Sequence, residues 1–299
     1  MPKVSVVIPT YNRSRFLRIA VRSVLNQTFQ DFEIVIVDDA SSDDTRAVVA
    51  SLGDARIKYV RHEQNRRIAG ARNTGVSNSL GEYIAFLDDD DEWQPGKLEQ
   101  QVRMLDVSAP TVGAVYTAFA QVNAASGDVV GIVRPVKRGH ILHALCSRNW
   151  VGTASTVCLR RQCFEEVGLF DESVAFGEEY DMWIRMAHRF DFRYIDDVLV
   201  TYGLHAKRLS RHFGVMISGL ERQLEKYRSF FASDPVNHSR RYMTLGRLYC
   251  YSGEGRKGRE AFWNAITLWP FALKYYLYFC LALLGSRGFT LVRGPRGLQ

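Results

Sequence analysis

The 299-residue chain has few cysteines and no metal-ligand spacing among them. Cys146, Cys158, Cys163, Cys250 and Cys280 are scattered, odd in number and without a CxxC pair. This excludes a zinc knuckle and fits a reducing compartment. Long hydrophobic runs are missing too. The N-terminal apolar stretch covers only residues 4–8 before Pro9 closes it, so it reads as a first strand and is too short for a secretory segment. No stretch reaches the roughly 18 apolar residues of a spanning helix, and the nearest, 270–285, is interrupted by Lys274. A cytoplasmic protein is expected, peripheral on the inner face of the membrane if its C-terminal part meets lipid.

What is present, 46% apolar residues, supplies a sizeable core for one large domain or one domain with an appendage. The formal charge of +7 is unevenly placed. From His205 onward there are 16 Lys and Arg against 5 Asp and Glu, a net +11, whereas residues 1–204 carry 23 against 27, a net −4. Apolar runs at 4–8, 32–37, 57–61 and 83–87 alternate with helical patterns at 14–25, 45–52 and 68–80. This βαβαβαβ order predicts an α/β fold with a right-handed, mostly parallel central sheet flanked by helices, and ligand crevices at its strand ends. Residues 98–105 continue as a helix, and 114–122, 129–133, 154–160 and 192–201 read as strands. A loop with a short helix is expected at 137–150, a turn at 168–171, and a helix within 176–188. One domain is expected over 1–212, followed by an all-helical, basic extension over 213–299. In the extension Tyr242, Leu245, Gly246, Tyr249, Phe262, Ala265 and Pro270 sit at the spacing of one tetratricopeptide repeat. An ordinary helical hairpin would read the same way.

The chemistry-bearing residues gather at strand ends. In GEYIAFLDDDDEWQPGKL, four aspartates at 88–91 follow the 83–87 strand at once. Four adjacent carboxylates repel one another and need full solvation or a neutralising cation. Trp93 and Pro95 directly after them argue for an ordered turn. A second pair, Asp38 and Asp39, ends the 32–37 strand, and in a parallel sheet both sets lie on one edge. The pattern points to a hard-metal site for Mg²⁺ or Mn²⁺ with a phosphate-bearing substrate, the first pair reading a nucleoside and the second a metal diphosphate. The simpler alternatives are a solvated acidic turn at 88–91 and a helix cap at Asp38.

Arg72 and Asn73 lie among small residues in AGARNTG, where a ligand can approach closely and a guanidinium suits phosphate. Pairing of Arg72 with the carboxylates at 88–91 is the structural alternative. Glu178, Glu179 and Asp181 form a second acidic cluster, framed by Gly177, Tyr180 and Trp183. A carboxylate against an apolar wall has a raised pKa and accepts a proton from an attacking hydroxyl, while acids in a first helical turn also suit the helix dipole. His205 precedes a basic segment, Lys207, Arg208 and Arg211, suited to phosphate.

Together PTYNR, VIVDDASSDDT, ARNTG, FLDDDDEW with PGKLEQQ, GLFDE, EEYDMWIRMA and TYGLH resemble, in that order, the family 2 nucleotide-sugar glycosyltransferases of GT-A fold. The match covers residues 3 to about 210. The resemblance implies an inverting, metal-dependent transfer of a sugar, a hexose, from a nucleotide-diphosphate donor to a hydroxyl of a glycan or lipid-linked acceptor. Surface polysaccharide or glycoconjugate biosynthesis is the implied setting. Carried over residue by residue, Pro9, Thr10, Tyr11, Asp38, Asp39, Arg72, Asp88, Glu178, Trp183 and His205 bind substrate, and Asp90 and Asp91 hold Mg²⁺ or Mn²⁺. Asp88 and Asp90 match the DxD motif, with Asp89 in its variable position. The family's general base is the Asp of an ED pair. Here that pair reads Glu178 and Glu179, so Glu179 is the implied base and Asp181 its competitor.

Two other classes share part of the pattern. A nucleotidyltransferase has a similar sheet and acidic metal site, but carries a Gly-rich, Lys/Arg-containing phosphate loop after its first strand, where this chain has PTYNR. A non-catalytic scaffold built on the helical extension has no need of the carboxylates. The positive charge of the extension fits an anionic membrane surface, with residues 271–284 in the interface. Nucleic acid is not expected as a partner, because the aromatic residues there follow helix-packing periods.

Overall fold

The computed structural model of the chain describes residues 1–174, 176–205, 213–285 and 289. Lys207, Arg208 and Arg211 lie outside the described residues. The chain divides into two compact units. The first holds residues 1–142, 149–173 and 178–205. The second holds 143–148, 174–177 and the chain from 206 on, so two short internal segments join the C-terminal helices.

The first unit is built on one nine-stranded sheet. Its strands are β1 (Val4–Thr10), β2 (Phe32–Asp38), β3 (Ile57–Arg61), β4 (Tyr83–Phe86), β5 (Asp91–Trp93), β6 (Val112–Asn123), β7 (Val129–Val133), β8 (Cys158–Arg160) and β9 (Asp191–Leu204). Their spatial order is β3-β2-β1-β4-β8-β6-β9-β5, with β7 on β6. The first four in space are parallel, and β8 joins β4 antiparallel. Strand β1 is buried along its whole length. Continuous apolar runs form such strands because helices cover both sheet faces. Those helices are α1 (Ser14–Leu25), α2 (Thr45–Ala50), α3 (Arg67–Ser77), α4 (Lys97–Asp106), α6 (Gln162–Val167) and α7 (Glu178–Ala187), while α5 (Leu142–Leu145) falls almost wholly in the segment assigned to the second unit. α1 buries Leu17, Ala20, Val21 and Val24, the three-and-four stripe of its sequence. In register Thr10 pairs with Asp38 and Val7 with Phe86, so the loops after β1, β2 and β4 leave from one edge.

Two local differences from the sequence reading bear on the site. The run at 88–91 does not end in a simple turn, because Asp91–Trp93 forms β5 against β9, with Asp91 opposite Tyr202 and Trp93 opposite Val200. The expected strand at 154–160 is shortened. Thr153 caps a 3₁₀ turn over Ala154–Thr156 by accepting from the Ser155 amide, and the strand proper begins at Cys158.

The second unit contains α8 (Phe213–Lys226), α9 (Arg228–Ala232), α10 (Pro235–Ser252), α11 (Gly255–Leu268) and α12 (Leu273–Leu283). Gly246 and Gly258 let α10 and α11 approach closely, since a Cβ at Gly246 would fall 2.5 Å from the Phe262 ring and one at Gly258 2.5 Å from Cys250 Sγ. Arg241 anchors the 143–148 segment by donating to Cys146 O at 3.2 Å and Leu145 O at 3.3 Å.

Lys97, the first residue of α4, is completely buried. Its ammonium donates to Gln101 Oε1 at 2.7 Å and lies 3.7 Å from the Trp93 ring centre. Burial pulls its pKa down to about 7. The unfolded chain therefore binds more protons than the folded one between about pH 7 and pH 10, and stability rises with pH across that window. Relative to Lys97→Met, the wild type should gain on the order of 3 kcal/mol between pH 7 and pH 10 in denaturant titrations. A difference independent of pH would mean that the ammonium is not desolvated.

Candidate active site

At the exits of β1 and β2 the backbone is tied by Asn12. It takes φ +53, in the left-handed region that Asn tolerates, and accepts from the Ser42 amide at 2.7 Å while its own amide donates to Ser41 Oγ at 2.9 Å. Pro9 is buried inside β1, short of the edge, and Tyr11 is 48% exposed beyond it. Asp38 and Asp39 are both buried. Asp38 accepts from the Ser41 amide at 2.7 Å and from the Tyr59 hydroxyl. It does not cap α2, whose N-cap is Asp44. Asp39 Oδ1 accepts from the Arg66 amide at 2.7 Å and lies 2.7 Å from His62 Nδ1, and His62 Nε2 lies 2.9 Å from Thr74 Oγ1. Tyr59 and His62 were not read from the sequence as site residues. Their position within and just after β3, beside β2, was the available signal.

Side chains along the acidic run point in different directions. Asp89 turns toward β1, where it accepts from Thr10 Oγ1 at 2.8 Å and from Arg13 Nη1 at 3.1 Å. Burial pushes its carboxyl up to about 7, against the Arg13 charge. Asp90 accepts from Arg13 Nη1 at 2.9 Å and lies 2.7 Å from His205 Nε2, with the His205 ring stacked on Phe16. Asp91 accepts from Ser155 Oγ at 2.7 Å and from the Gly203 amide at 3.3 Å. Gly203 is sterically required, because a Cβ there would lie 2.6 Å from Asp90 O. Asp88, Asp90 and Asp91 each offer a carboxylate oxygen within 4.8 Å of the others. Such a set, all hard oxygen donors, fits Mg²⁺ or Mn²⁺. Arg13 and Ser155, which orient two of the three, are additions to the sequence reading. Arg13 stood within PTYNR, but nothing in the sequence near Ser155 marked it.

Arg72 lies at the centre of the site. Only 1% exposed, it donates from Nη1 to Glu178 Oε1 at 2.7 Å, and from Nη2 to both Asp88 Oδ1 at 2.8 Å and Glu179 Oε1 at 2.9 Å. Glu179 Oε1 also accepts from the Ala154 amide at 3.1 Å, at the start of the 3₁₀ turn. Burial raises the pKa of Glu178 and of Glu179, and Arg72 is the strongest opposing influence on each. Both acids thus sit opposite Asp88. Asp181 is fully buried elsewhere on α7, where it accepts from Arg185 Nε at 2.9 Å, and Trp183 is likewise fully buried. Asn73 holds the 168–172 loop by donating to Phe170 O and accepting from its amide.

Residues 5–168, more than half of the chain, match the family model described as Glycosyl transferase family 2. The chain belongs to glycosyl transferase family 2. Among family relatives, it is 43% identical over 182 residues to the Escherichia coli UDP-Glc:alpha-D-GlcNAc-diphosphoundecaprenol beta-1,3-glucosyltransferase WfgD, covering 60% of this chain and 68% of that one. It spans less than two thirds of several curated Rickettsia relatives, 65% of the one from R. prowazekii and 36% of the one from R. felis. The fold is that of the GT-A glycosyltransferases. Residues 1–349 of S. aureus TarS in complex with UDP-GlcNAc superpose with a TM-score of 0.65 at 19% identity, covering 89% of this chain and 81% of that one. The mannosyltransferase PcManGT of Pyrobaculum calidifontis, in complex with GDP-Man and Mn²⁺, superposes with a TM-score of 0.61 at 16% identity, covering 99% and 88%.

Removing the buried guanidinium leaves three carboxylates facing one another. Arg72→Ala should therefore lose about 3–5 kcal/mol of stability at pH 8 in urea titrations. The loss should shrink as the pH falls and the glutamates protonate. A loss below about 1 kcal/mol, the scale of an exposed ion pair, would show the cluster to be solvated.

Proposed function

We propose that this family member is an inverting, metal-dependent hexosyltransferase that moves a sugar from a nucleoside-diphosphate donor to a hydroxyl of a lipid-linked glycan in surface polysaccharide assembly. The observation that carries the reading is the shared guanidinium: one nitrogen of Arg72 bonds both Asp88, at the donor-side acidic turn, and Glu179, the candidate base. Donor and acceptor chemistry then meet at one point. The relative named for a diphosphoundecaprenol acceptor supports the lipid-linked substrate, and the GT-A neighbours bound to UDP-GlcNAc and to GDP-Man with Mn²⁺ support the donor class.

In this reading Asp38 and Asp39, held by Ser41, Tyr59, Arg66 and His62, present carboxylate oxygens to the base and ribose of the nucleotide, beside Thr10 and Tyr11. Asp90 and Asp91, with Asp88, would hold Mg²⁺ or Mn²⁺, which would offset the charge of the diphosphate. Arg72 and Arg13 add positive charge along the same edge, where the leaving diphosphate becomes more negative as the bond to the anomeric carbon breaks. Glu179 takes the proton of the acceptor hydroxyl as its oxygen attacks that carbon from the opposite face, so one displacement inverts the centre. Glu178 fixes Arg72 by its 2.7 Å bond. Asp181, committed to Arg185, holds the first turns of α7 in place. Among the described residues no helix is long and apolar enough to cross a membrane, and a peripheral enzyme at the inner membrane face fits this reading.

Transfer and donor hydrolysis with UDP-, GDP- and dTDP-sugars, with and without Mn²⁺, test it. Glu179→Gln should lower transfer by about 100-fold or more while donor affinity stays within a few-fold. Asp181→Asn should lower thermal stability more than turnover. Because burial raises the Glu179 pKa, the base loses activity by protonation, so the acidic limb of the kcat/KM profile should lie above the ordinary Glu range near 4.3. Turnover abolished by Asp181→Asn but retained in Glu179→Gln would overturn the assignment. Absence of transfer and hydrolysis with every donor would overturn the activity.

A further inference from the structure

Helix α12 has an unusual polarity. Its buried face, Tyr275 and Ala282 with Tyr278 and Phe279 partly covered, packs on α11 through Phe262 against Tyr278 and Trp263 against Phe279. Its outward face is also apolar. Leu273 (83% exposed), Tyr276, Leu277, Cys280, Leu283 and Leu284 (65%) recur every three or four residues and so form one stripe along the helix. Phe271, 77% exposed, extends the stripe at its start, and the half-exposed Trp263 borders it from α11. Singly exposed apolar residues are ordinary, but a contiguous stripe of this kind marks an interaction surface.

Charge indicates the occupant. From residue 254 to 284 the chain has four cations, Arg256, Lys257, Arg259 and Lys274, and two carboxylates, Glu254 and Glu260, which pair with Lys257 at 2.7 Å and Arg256 at 3.2 Å and leave a net +2. Lys274 flanks the stripe on α12, and Arg259 reaches the same helix by donating to Ala282 O at 3.3 Å. An apolar helical face with aromatic and cationic flanks is the composition of a helix lying in the plane of an anionic bilayer. With 11 residues, α12 is far too short to span one.

We propose that the outward face of α12, with Phe271 and Trp263, is a docking surface for an anionic lipid bilayer. It inserts Leu273, Leu277 and Leu284 at the headgroup boundary while Lys274 meets lipid phosphates. The inference rests on the lipid-linked acceptor proposed above and adds the surface by which the enzyme reaches that acceptor.

Co-sedimentation of the full chain with phosphatidylcholine vesicles containing about one third phosphatidylglycerol tests this at low salt. Wild-type protein should bind these vesicles and bind pure phosphatidylcholine at least tenfold more weakly, with binding falling as salt rises. Leu277→Glu with Leu284→Glu should cut binding at least tenfold. Both positions are exposed, so melting temperature and donor hydrolysis should stay at wild-type values. Equal binding by wild type and the double variant would overturn the surface. So would a wild-type dimer in sedimentation equilibrium that the double variant dissociates, since a second copy would then cover the stripe. Vesicle binding is read without turnover. Its loss in an enzyme that still transfers sugar overturns only the docking surface, and its presence in a chain without transferase activity overturns only the catalytic reading.

Discussion

The site depends on how a crowded set of carboxylates is kept from flying apart in a place where water is scarce. Asp88, Glu178 and Glu179 converge on Arg72, and Asp89 and Asp90 converge on Arg13. Two guanidiniums thus face five acids, with Asp91 close by on Ser155. Burial lifts the pKa of Asp89, Glu178 and Glu179 despite these partners. The ionised forms are therefore costly to bury even beside the two guanidiniums, which hold the cluster together. The helices, turns and glycines around the edge serve this arrangement, from Gly203 beside Asp90 to the shortened strand that frees the Ala154 amide for Glu179.

Sharing one Arg72 nitrogen between Asp88 and Glu179 links the donor side and the base of the proposed reaction. Any group that draws Arg72 toward the donor side loosens its hold on Glu179 and makes that carboxylate a stronger base. Asp181 bonds a different arginine. It sits on the same helix but is committed to Arg185 one turn later, so two acids two residues apart take separate tasks.

How much of this was legible in the sequence follows from the range of each interaction. The strand-end carboxylates were legible because a parallel sheet fixes its own edge: once 4–8, 32–37 and 83–87 read as strands, Asp38, Asp39 and the 88–91 run had to emerge together. The small neighbours of Arg72 allow either phosphate binding or pairing with the acidic run, and the structure shows the ion pair to Asp88. Strand β5 was not legible, since Asp and Glu are poor strand formers and only tertiary pairing with β9 makes 91–93 extended. Tyr59, His62, Arg13 and Ser155 were missed for a related reason. Each acts by orienting another residue through a tertiary contact, which periodicity does not record and which PTYNR, though it contains Arg13, does not spell out.

The central claim is that this carboxylate-rich edge takes one divalent cation together with a nucleoside diphosphate. Electron paramagnetic resonance of Mn²⁺ titrated into the protein tests it most directly, with and without UDP or GDP. The account predicts one bound Mn²⁺ per chain in the presence of the cognate diphosphate, with binding strongly weakened in Asp90→Ala. Mn²⁺ that stays free at millimolar concentration with either diphosphate, or binds equally well to Asp90→Ala, would contradict it.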